Sequence, residues 1–493
     1  MQGKIIGLDG EPIIKASSAY EAAGRRVNSQ IHAPSMGPNR AIASAGNTLR
    51  NRTRHGYRNS LLLRSAINKN VTSEVGRGFT LLSTCKDTEF KKDINALWKV
   101  TSKQLDPWGN FNFGAILKIA VQARKTAGEV FVRRINRRIN SGLKVPVQVE
   151  LYESEMCPVN FNRRLSKSKR IVQGVEFHGR VKVAYWFYRS HPQDGLESAS
   201  LHDLERVSAR DVIHHYFPSR PSQVRAEVET AAALEKDRDF KEYDAAELTR
   251  KKERSAFTGF LYREDIGEED EYCSATGRPL FDDGESGGYD SVERLEAGTM
   301  LRGVPGERLE LFDGDNTGQG YKDWVRWQSL MLAAGQDIPH ALLTGDWSGL
   351  NDRLVRAFMN EYRRDISFAQ TNLSGFQLAL GIWRWFVETA IATGVVSAPN
   401  YNLDQWFYLA LDIRPDAFKH LHPEQDINAR MKAVNSQHSN LESEAAEYGQ
   451  DLTENMERNA EAIAEWQSIC EKHNINPTEL TGLFAQPNGG QSE

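Results

Sequence analysis

The sequence has no apolar run of the about eighteen or more residues that a membrane-spanning helix needs, so it predicts no such span. Cysteine is sparse: the four, Cys85, Cys157, Cys273 and Cys470, lie far apart. No pair has metal-ligand or redox spacing, and the expectation is a chain folded in a reducing, cytosolic environment. Met1–Gly7 lacks the long apolar core of a signal peptide. No Gly-x-x-x-x-Gly-Lys-Ser/Thr string for cradling phosphates occurs. An excess of basic charge is missing too: 62 Lys and Arg face 66 Asp and Glu, for a net charge of −4. The whole chain is therefore not an obvious nucleic-acid binder, and contact with DNA would need local basic patches or would have to tolerate repulsion.

The 493 residues suffice for about three domains with a substantial core. The organising stretch is Tyr321–Thr393. It reads as one helix, a break and a much longer helix. Pro339 cannot join a helix ladder, and Gly345 and Gly349 free the backbone on either side of Trp347. After the break, Leu350, Leu354, Phe358, Tyr362, Ile366, Ala369, Leu373, Phe376, Leu380, Trp383, Val387 and Ile391 follow in steps of three and four. Residues 352–392 would make a rod of roughly 60 Å. Rods of that length pack beside other rods, often from other copies of the chain.

Residues 1–45 predict an irregular arm with a short helix near Ser18–Arg26. Asn47–Lys69 predicts a helix rich in arginine (Arg50, Arg52, Arg54, Arg58, Arg64), either a solvated face or a contact for an acidic partner or nucleic acid. Helices follow at Phe90–Leu105 and Phe113–Thr126. The period then changes to that of strands: 129–135, 145–152, 172–177, 181–188 and 212–217, read as one mostly antiparallel sheet. Ser222 is a candidate cap for a highly charged helix reaching Phe257, polar nearly all round and suited to a ring or channel. Residues 263–293 are acidic and turn-rich, and Gly298–Phe312 reads as a short strand pair. Glu424–Cys470 is polar and helical, and the last residues from Asn476 read as frayed. The fold class is α+β.

Candidate chemistry is thin. Gly284-Glu285-Ser286-Gly287-Gly288 matches Gly-x-Ser-x-Gly, but its acidic, loop-like flanks oppose an oxyanion and do not form a strand–helix elbow. Gly314–Gly320 has no lysine for a phosphate, and Asp313 and Asp315 read as turn residues. His214 and His215 point to opposite faces of a strand, and His420 with His422 lacks a third ligand. No catalytic constellation, cofactor or metal is predicted.

The order of these pieces resembles the lambda family of tailed-phage portal proteins. The resemblance is carried by Ser18–Ala23, by Leu49–Arg54 with Arg58-Asn59-Ser60, and by Val75-Gly76-Arg77-Gly78-Phe79. It continues through Ala209–His215 with Phe217–Gln223. Its most specific part is Ala333-Ala334-Gly335 and Ile338–Asn351, followed by Arg356-Ala357 and Glu361–Arg364. It spans roughly residues 18–412 and departs at Val224–Glu227, where the family often has Gly-x-Pro-Trp.

The resemblance implies a portal fold: an N-terminal arm (1–45), a wing of helices and mostly antiparallel sheet (46–220), a stem helix (221–258) and a small clip (259–320). It then implies a second stem helix (321–337), a tunnel loop (338–352), a long wing helix (353–395), a helical crown (396–475) and a flexible tail (476–493). It implies a ring, usually of twelve copies, at one vertex of a virion and assembled in the host cytoplasm. Double-stranded DNA would pass along its axis during packaging and ejection. The implied partners are the terminase large subunit, a head–tail adaptor and the major capsid or scaffolding protein, without membrane or cofactor. The loop nearest DNA would be Thr344, Gly345, Asp346, Trp347, Ser348, Gly349 and Leu350, with Trp347 either an axial contact, a plug against a neighbour, or packed on its own subunit. Arg353, Arg356, Arg363, Arg364, Lys251, Lys252 and Arg254 become candidate DNA or inter-subunit contacts, with solvated side chains as the alternative for each. Glu268, Glu269, Asp270, Glu271, Asp282 and Asp283 become the clip's partner-facing acids. The rival readings are a serine hydrolase using Ser286 and a minor capsid scaffold without a DNA channel.

Overall fold

The computed structural model describes residues 35–194, 200–256, 259–263, 307–311, 318–418, 423–448 and 450–473. The helix 18–26, the acidic segment with its clip residues, Ser286, Gly314, Asp313, Asp315, His420, His422, Cys273 and the tail from 476 lie outside them.

The first helix, α1 (Pro38–Asn59), starts earlier than the composition of the arm predicts, because Pro38 falls at the first helical positions, where its missing N–H costs nothing. The expected single helix 47–69 is broken at Ser60. That residue is extended, and its hydroxyl accepts from Leu63 N to cap α2 (Leu61–Val75). Then come β1 (Thr80–Ser83), α3 (Thr88–Thr101), α4 (Phe113–Ala127), β2 (Glu129–Asn136) and β3 (Val147–Tyr152). Next are β4 (Arg163–Arg164), β5 (Lys169–Val172), β6 (Val175–His178), β7 (Val181–Tyr188), β8 (Leu204–Ser208) and β9 (Val212–Tyr216).

These strands make two antiparallel sheets rather than the one expected, in the orders β3-β2-β9 and β4-β5-β6-β7-β8. The expected strand 172–177 is two strands, because Gln173 and Gly174 both take positive φ and turn the chain. An added Cβ on Gly174 would lie 2.6 Å from Cys157 Sγ, so only glycine fits that turn.

The charged helix α5 (Ala231–Ala256) begins later than Ser222, which has φ 66° and cannot cap it. Residues 223–230 instead run as buried irregular chain, with Val224, Arg225, Ala226, Val228 and Thr230 all covered. The strand β11 (Glu307–Leu311) pairs with β10 (Gly259–Arg263), and the first half of the expected pair 298–312 lies outside the described residues. The helix α6 (Gly318–Ala334) returns along α5: Trp324 stacks on Phe240 and Tyr243, with centroids 5.9 and 3.8 Å apart.

After the short helix α7 (His340–Thr344), Asp352–Ala392 forms one rod, as the spacing predicts: α8 (Asp352–Phe368), a π-helical stretch (Ala369–Ala379) and α9 (Leu380–Ala392). The last described elements are α10 (Gln405–Leu409), β12 (Leu411–Arg414), α11 (Pro423–Asn435), α12 (Leu441–Glu447) and α13 (Leu452–His473). β12 pairs antiparallel with β1, Thr80 opposite Arg414, which ties the late chain to the early one.

The main core lies between α2, α3, α4, β2, β3 and α9. Trp98 packs edge-on against Phe113, Trp383 and Phe386 at 5.2, 5.5 and 5.0 Å. A smaller cluster of Ala66, Leu332, Ala333, Ile338, Leu343, Tyr362 and Ile366 joins α2, α6, α7 and α8. It fixes the base of the break. Among the described residues no helix is long and apolar enough to cross a membrane.

Candidate functional site

The break begins where α6 stops. Asp337 sits at φ 51°, and Ile338 N donates to Ala333 O at 3.1 Å, closing the helix end. Pro339 then leads into α7, whose own end is Gly345 at φ 77°. Ser65 Oγ donates to Leu343 O at 3.0 Å, so α2 holds α7 from below.

Beyond Thr344 the chain leaves the core. Thr344, Gly345, Asp346, Trp347, Ser348 and Gly349 are exposed and Leu350 is half-buried. Asp346 Oδ1 accepts from Ser348 N and Ser348 Oγ, and these bonds hold its carboxyl below the usual carboxylate range. The loop is thus a self-bonded turn, and Trp347 is 45% exposed at its tip. Asn351 Oδ1 accepts from Leu354 N at 2.9 Å and starts α8.

The two helices beside this loop carry uncovered apolar stripes. On α6, Trp327, Leu330, Met331 and Ala334 share a face and are exposed, Trp327 at 60%. On α8, Leu354 and Phe358, one turn apart, are 44% and 52% exposed. The predicted single stripe therefore divides: Tyr362, Ile366, Leu373, Trp383 and Val387 are buried, whereas Leu354, Phe358 and Phe376 face outward.

The candidate arginines are mostly engaged locally. Arg356 pairs with Asp352 at 2.7 Å, Arg364 with Glu361 at 3.5 Å, and Arg363 lies over the Phe418 ring at 5.2 Å. Arg353 is exposed and has no ion-pair partner among the described residues. Lys251 Nζ sits 4.6 Å from the Tyr321 ring centre, inside the α5–α6 pair. Lys252 is exposed, and the Arg254 side chain lies outside the described residues. In α1, Arg50 is buried and, with Arg54, binds Glu155 at 3.1 and 2.9 Å. The alternatives of solvated face or partner contact therefore keep Arg52, Arg58, Arg64 and Lys69 of the expected helix 47–69 as exposed groups. Glu153, Glu155 and His191 converge, but Arg50 and Arg54 already neutralise the two carboxylates.

Two buried polar networks that the sequence did not single out hold the rod and the chain entering α5 to the sheet. His214 and His215 do point to opposite faces. His214 Nε2 donates to Glu129 at 2.8 Å, and Glu129 also takes Arg225 at 2.6 Å. On the other face, Arg124 binds Glu74 at 2.7 Å and donates to His215 Nε2 at 3.1 Å. His215 Nδ1 donates to Gln377 Oε1 at 2.9 Å, which fixes the neutral tautomer. Gln377 also pairs with both backbone groups of Tyr216, and Ser374 Oγ donates to Glu74 at 2.6 Å. The π-helical stretch is thus seated on the edge of β9. Gly375 permits it: an added Cβ would lie 2.7 Å from Gln370 O.

This is the architecture of a subunit whose rods expose apolar faces beside a self-bonded loop, and no catalytic constellation is assembled among the described residues. The chain belongs to the lambda family of phage portal proteins, whose family model matches residues 24–370. It is 23% identical over 351 residues to a probable portal protein of Halomonas phage phiHAP-1, covering 71% of this chain and 65% of that protein's length. Among solved structures it is similar to a chain from the neck of an empty GTA particle computed with C6 symmetry, at 12% identity and TM-score 0.46, covering 87% of this chain and 99% of the other. A chain from the neck of a native GTA particle computed with C12 symmetry follows at 11% identity and TM-score 0.45, covering 87% and 99%.

Proposed function

We propose that this chain is one subunit of a closed ring at a single capsid vertex, through whose axis double-stranded DNA moves during packaging and ejection. Family membership supports the reading, and the observation that carries it is the pair of bare stripes, Trp327–Ala334 on α6 and Leu354–Phe358 on α8. An exposed tryptophan among leucine, methionine and phenylalanine on two helices beside one loop is apolar surface that a neighbouring copy would cover. The segments are then arm 1–45, wing 46–220, stem 221–258, clip 259–320, second stem helix 321–337, tunnel loop 338–352, long wing helix 353–395, crown 396–475 and tail 476–493.

In this reading conduction is passive. The loop Thr344–Leu350 lies nearest the DNA, and Trp347 touches the duplex or a neighbouring subunit. Arg353, exposed and without an ion-pair partner among the described residues, meets the duplex, while Arg356, Arg363, Arg364, Lys251, Lys252 and Arg254 contribute at subunit boundaries. Sequence-independent contacts let the duplex slide in both directions. Glu268, Glu269, Asp270, Glu271, Asp282 and Asp283 face the terminase large subunit and then the head–tail adaptor, and the wing meets the major capsid or scaffolding protein. The protein resides in the virion after assembly in the host cytoplasm and acts structurally, not as an enzyme.

Class-averaged electron micrographs with native mass measurement test this. A closed ring, of about twelve copies as portals of this family imply, with an opening wider than a duplex of about 20 Å supports it; a stable monomer, a filament or a ring without an opening overturns it. Activity lost on Ser286→Ala with intact assembly would favour the hydrolase instead.

A further inference from the structure

The ribbon formed by β4 and β5 is a separate feature, far from the break in sequence and unused by the reading above. Its sequence, Arg163-Arg164-Leu165-Ser166-Lys167-Ser168-Lys169-Arg170, contains five cations and no acid. All five are exposed. Arg164 stands directly opposite Arg170 across the two strands, a like-charge pair that costs stability. None of the five closes an ion pair among the described residues. The nearby carboxylate on the same sheet, Glu176, is occupied by Arg206 at 2.7 Å and by Trp186 Nε1 at 3.2 Å. Arg180, in the turn between β6 and β7, is exposed as well.

The ribbon is built, not frayed. Ser166 Oγ accepts from Ser168 N and Lys169 N, and Gly179 N donates to Ser168 O at 2.7 Å. Together with Asn162 and Gly179 it lines a concavity of about 620 Å³. Arg170 also lies over the Phe177 ring at 5.9 Å, and cations crowded on one ribbon lose their mutual repulsion when a polyanion covers them.

We propose that the β4–β5 ribbon binds the phosphate backbone of double-stranded DNA, and, resting on the ring reading above, that this site is distinct from the channel loop Thr344–Leu350. Its residue types favour DNA over an acidic protein. The exposed side chains are arginine, lysine and serine, which bond phosphate oxygens without reading bases. The aromatic anchors that concentrate energy in protein interfaces are missing from 163–172, where Leu165 is the exposed apolar group, Ile171 is buried and Val172 half-buried.

The test uses covalently closed circular DNA, which has no end to thread through an intact ring. Binding is followed by gel shift from about 50 to about 200 mM salt. The wild-type protein is compared with the variant carrying Arg163→Ser, Arg164→Ser, Lys167→Ser, Lys169→Ser and Arg170→Ser. A charge-matched control carries Arg58→Ser, Lys86→Ser, Lys92→Ser, Lys103→Ser and Lys118→Ser. The expected result is at least tenfold weaker binding by the ribbon variant, with a log–log salt slope shallower by about 4, and a smaller change in the control. Lys167→Glu alone, at the exposed turn, should give a partial loss and keeps the test valid if the fivefold variant fails to fold. Equal binding by wild type and ribbon variants, equal loss in the control, no binding of circles by the wild type, or full competition by polyglutamate at matched charge would each overturn the proposal. Ring formation, scored separately in micrographs, reports on the channel reading whichever way the circles behave.

Discussion

Glu129 and Arg225 meet at 2.6 Å with both side chains fully out of water. Arg225 also donates to the backbone carbonyls of Ser154, Cys157 and Gln173 at 2.8–2.9 Å. It stands in the irregular chain between β9 and α5, so this pair pins the entry of α5 to the sheet. Arg225→Met should cost about 3–5 kcal/mol in urea unfolding, because it strands a buried carboxylate. Replacing both partners with apolar residues should recover part of that loss. A cost under about 1 kcal/mol for the single change would deny the pin.

The two strand histidines make stability depend on acid. Burial pushes His214 down to about 4 against the pull of Glu129, and burial beside Arg124 also holds His215 well below its ordinary value. In the unfolded chain both take a proton near pH 6.5. Between about pH 6.5 and 4 the unfolded chain therefore gains protons that the folded one refuses. Stability should fall by about 1.4 kcal/mol per pH unit for each histidine in that window. Burial pushes the Glu129 carboxyl up, but Arg225 and His214 override it and leave it well below its usual range. Its share of stability is full above the unfolded carboxylate range and is lost as pH falls further. Urea midpoints that stay level from pH 7 to pH 5 would contradict the assignment.

Gly375 and Gly381 separate backbone fit from side-chain fit in the rod. A Cβ on Gly375 meets the Gln370 carbonyl, which belongs to the rod itself, whereas one on Gly381 meets the Ile213 side-chain end at 2.5 Å. Gly375→Ala should lower stability by about 1–3 kcal/mol, and Gly381→Ala by clearly less, because Ile213 can turn away. Thermal unfolding of the two variants side by side gives the order.

Leu330→Glu on α6 and Phe358→Asp on α8 should abolish ring assembly while leaving the monomer folded, since both positions are bare in the single chain. Size-exclusion chromatography with light scattering reads the assembly state, and circular dichroism the fold. Rings that persist in both variants would place subunit contacts elsewhere.

The rod, the break at Pro339 and the exposed tip at Trp347 were legible in the sequence, because proline, glycine and a period of three to four are local signals. The π-helical stretch was not. It arises where Gln377 pairs with the Tyr216 backbone and Ser374 with Glu74, contacts between residues far apart in the chain. Arg50 and Arg225 were equally hidden: nothing local distinguishes a buried arginine from a solvated one until its carboxylate arrives from another element. The division of the strands into two sheets depended on which edges meet, although the turn at Gly174 carried a glycine signal that the strand pattern masked. The charged helix α5 began late for a similar reason, since Val224 and Arg225 gain more by burial against the sheet than by joining a helix.

The pairing of Thr80 with Arg414 also sets a timetable. While the ribosome is still making the chain, β1 waits with an open edge until β12 emerges, and Trp98 lacks Trp383 and Phe386 until the rod is made. The early half thus cannot mature alone. A truncated product ending before Trp383 would expose both edge and core, and so would be cleared or aggregate.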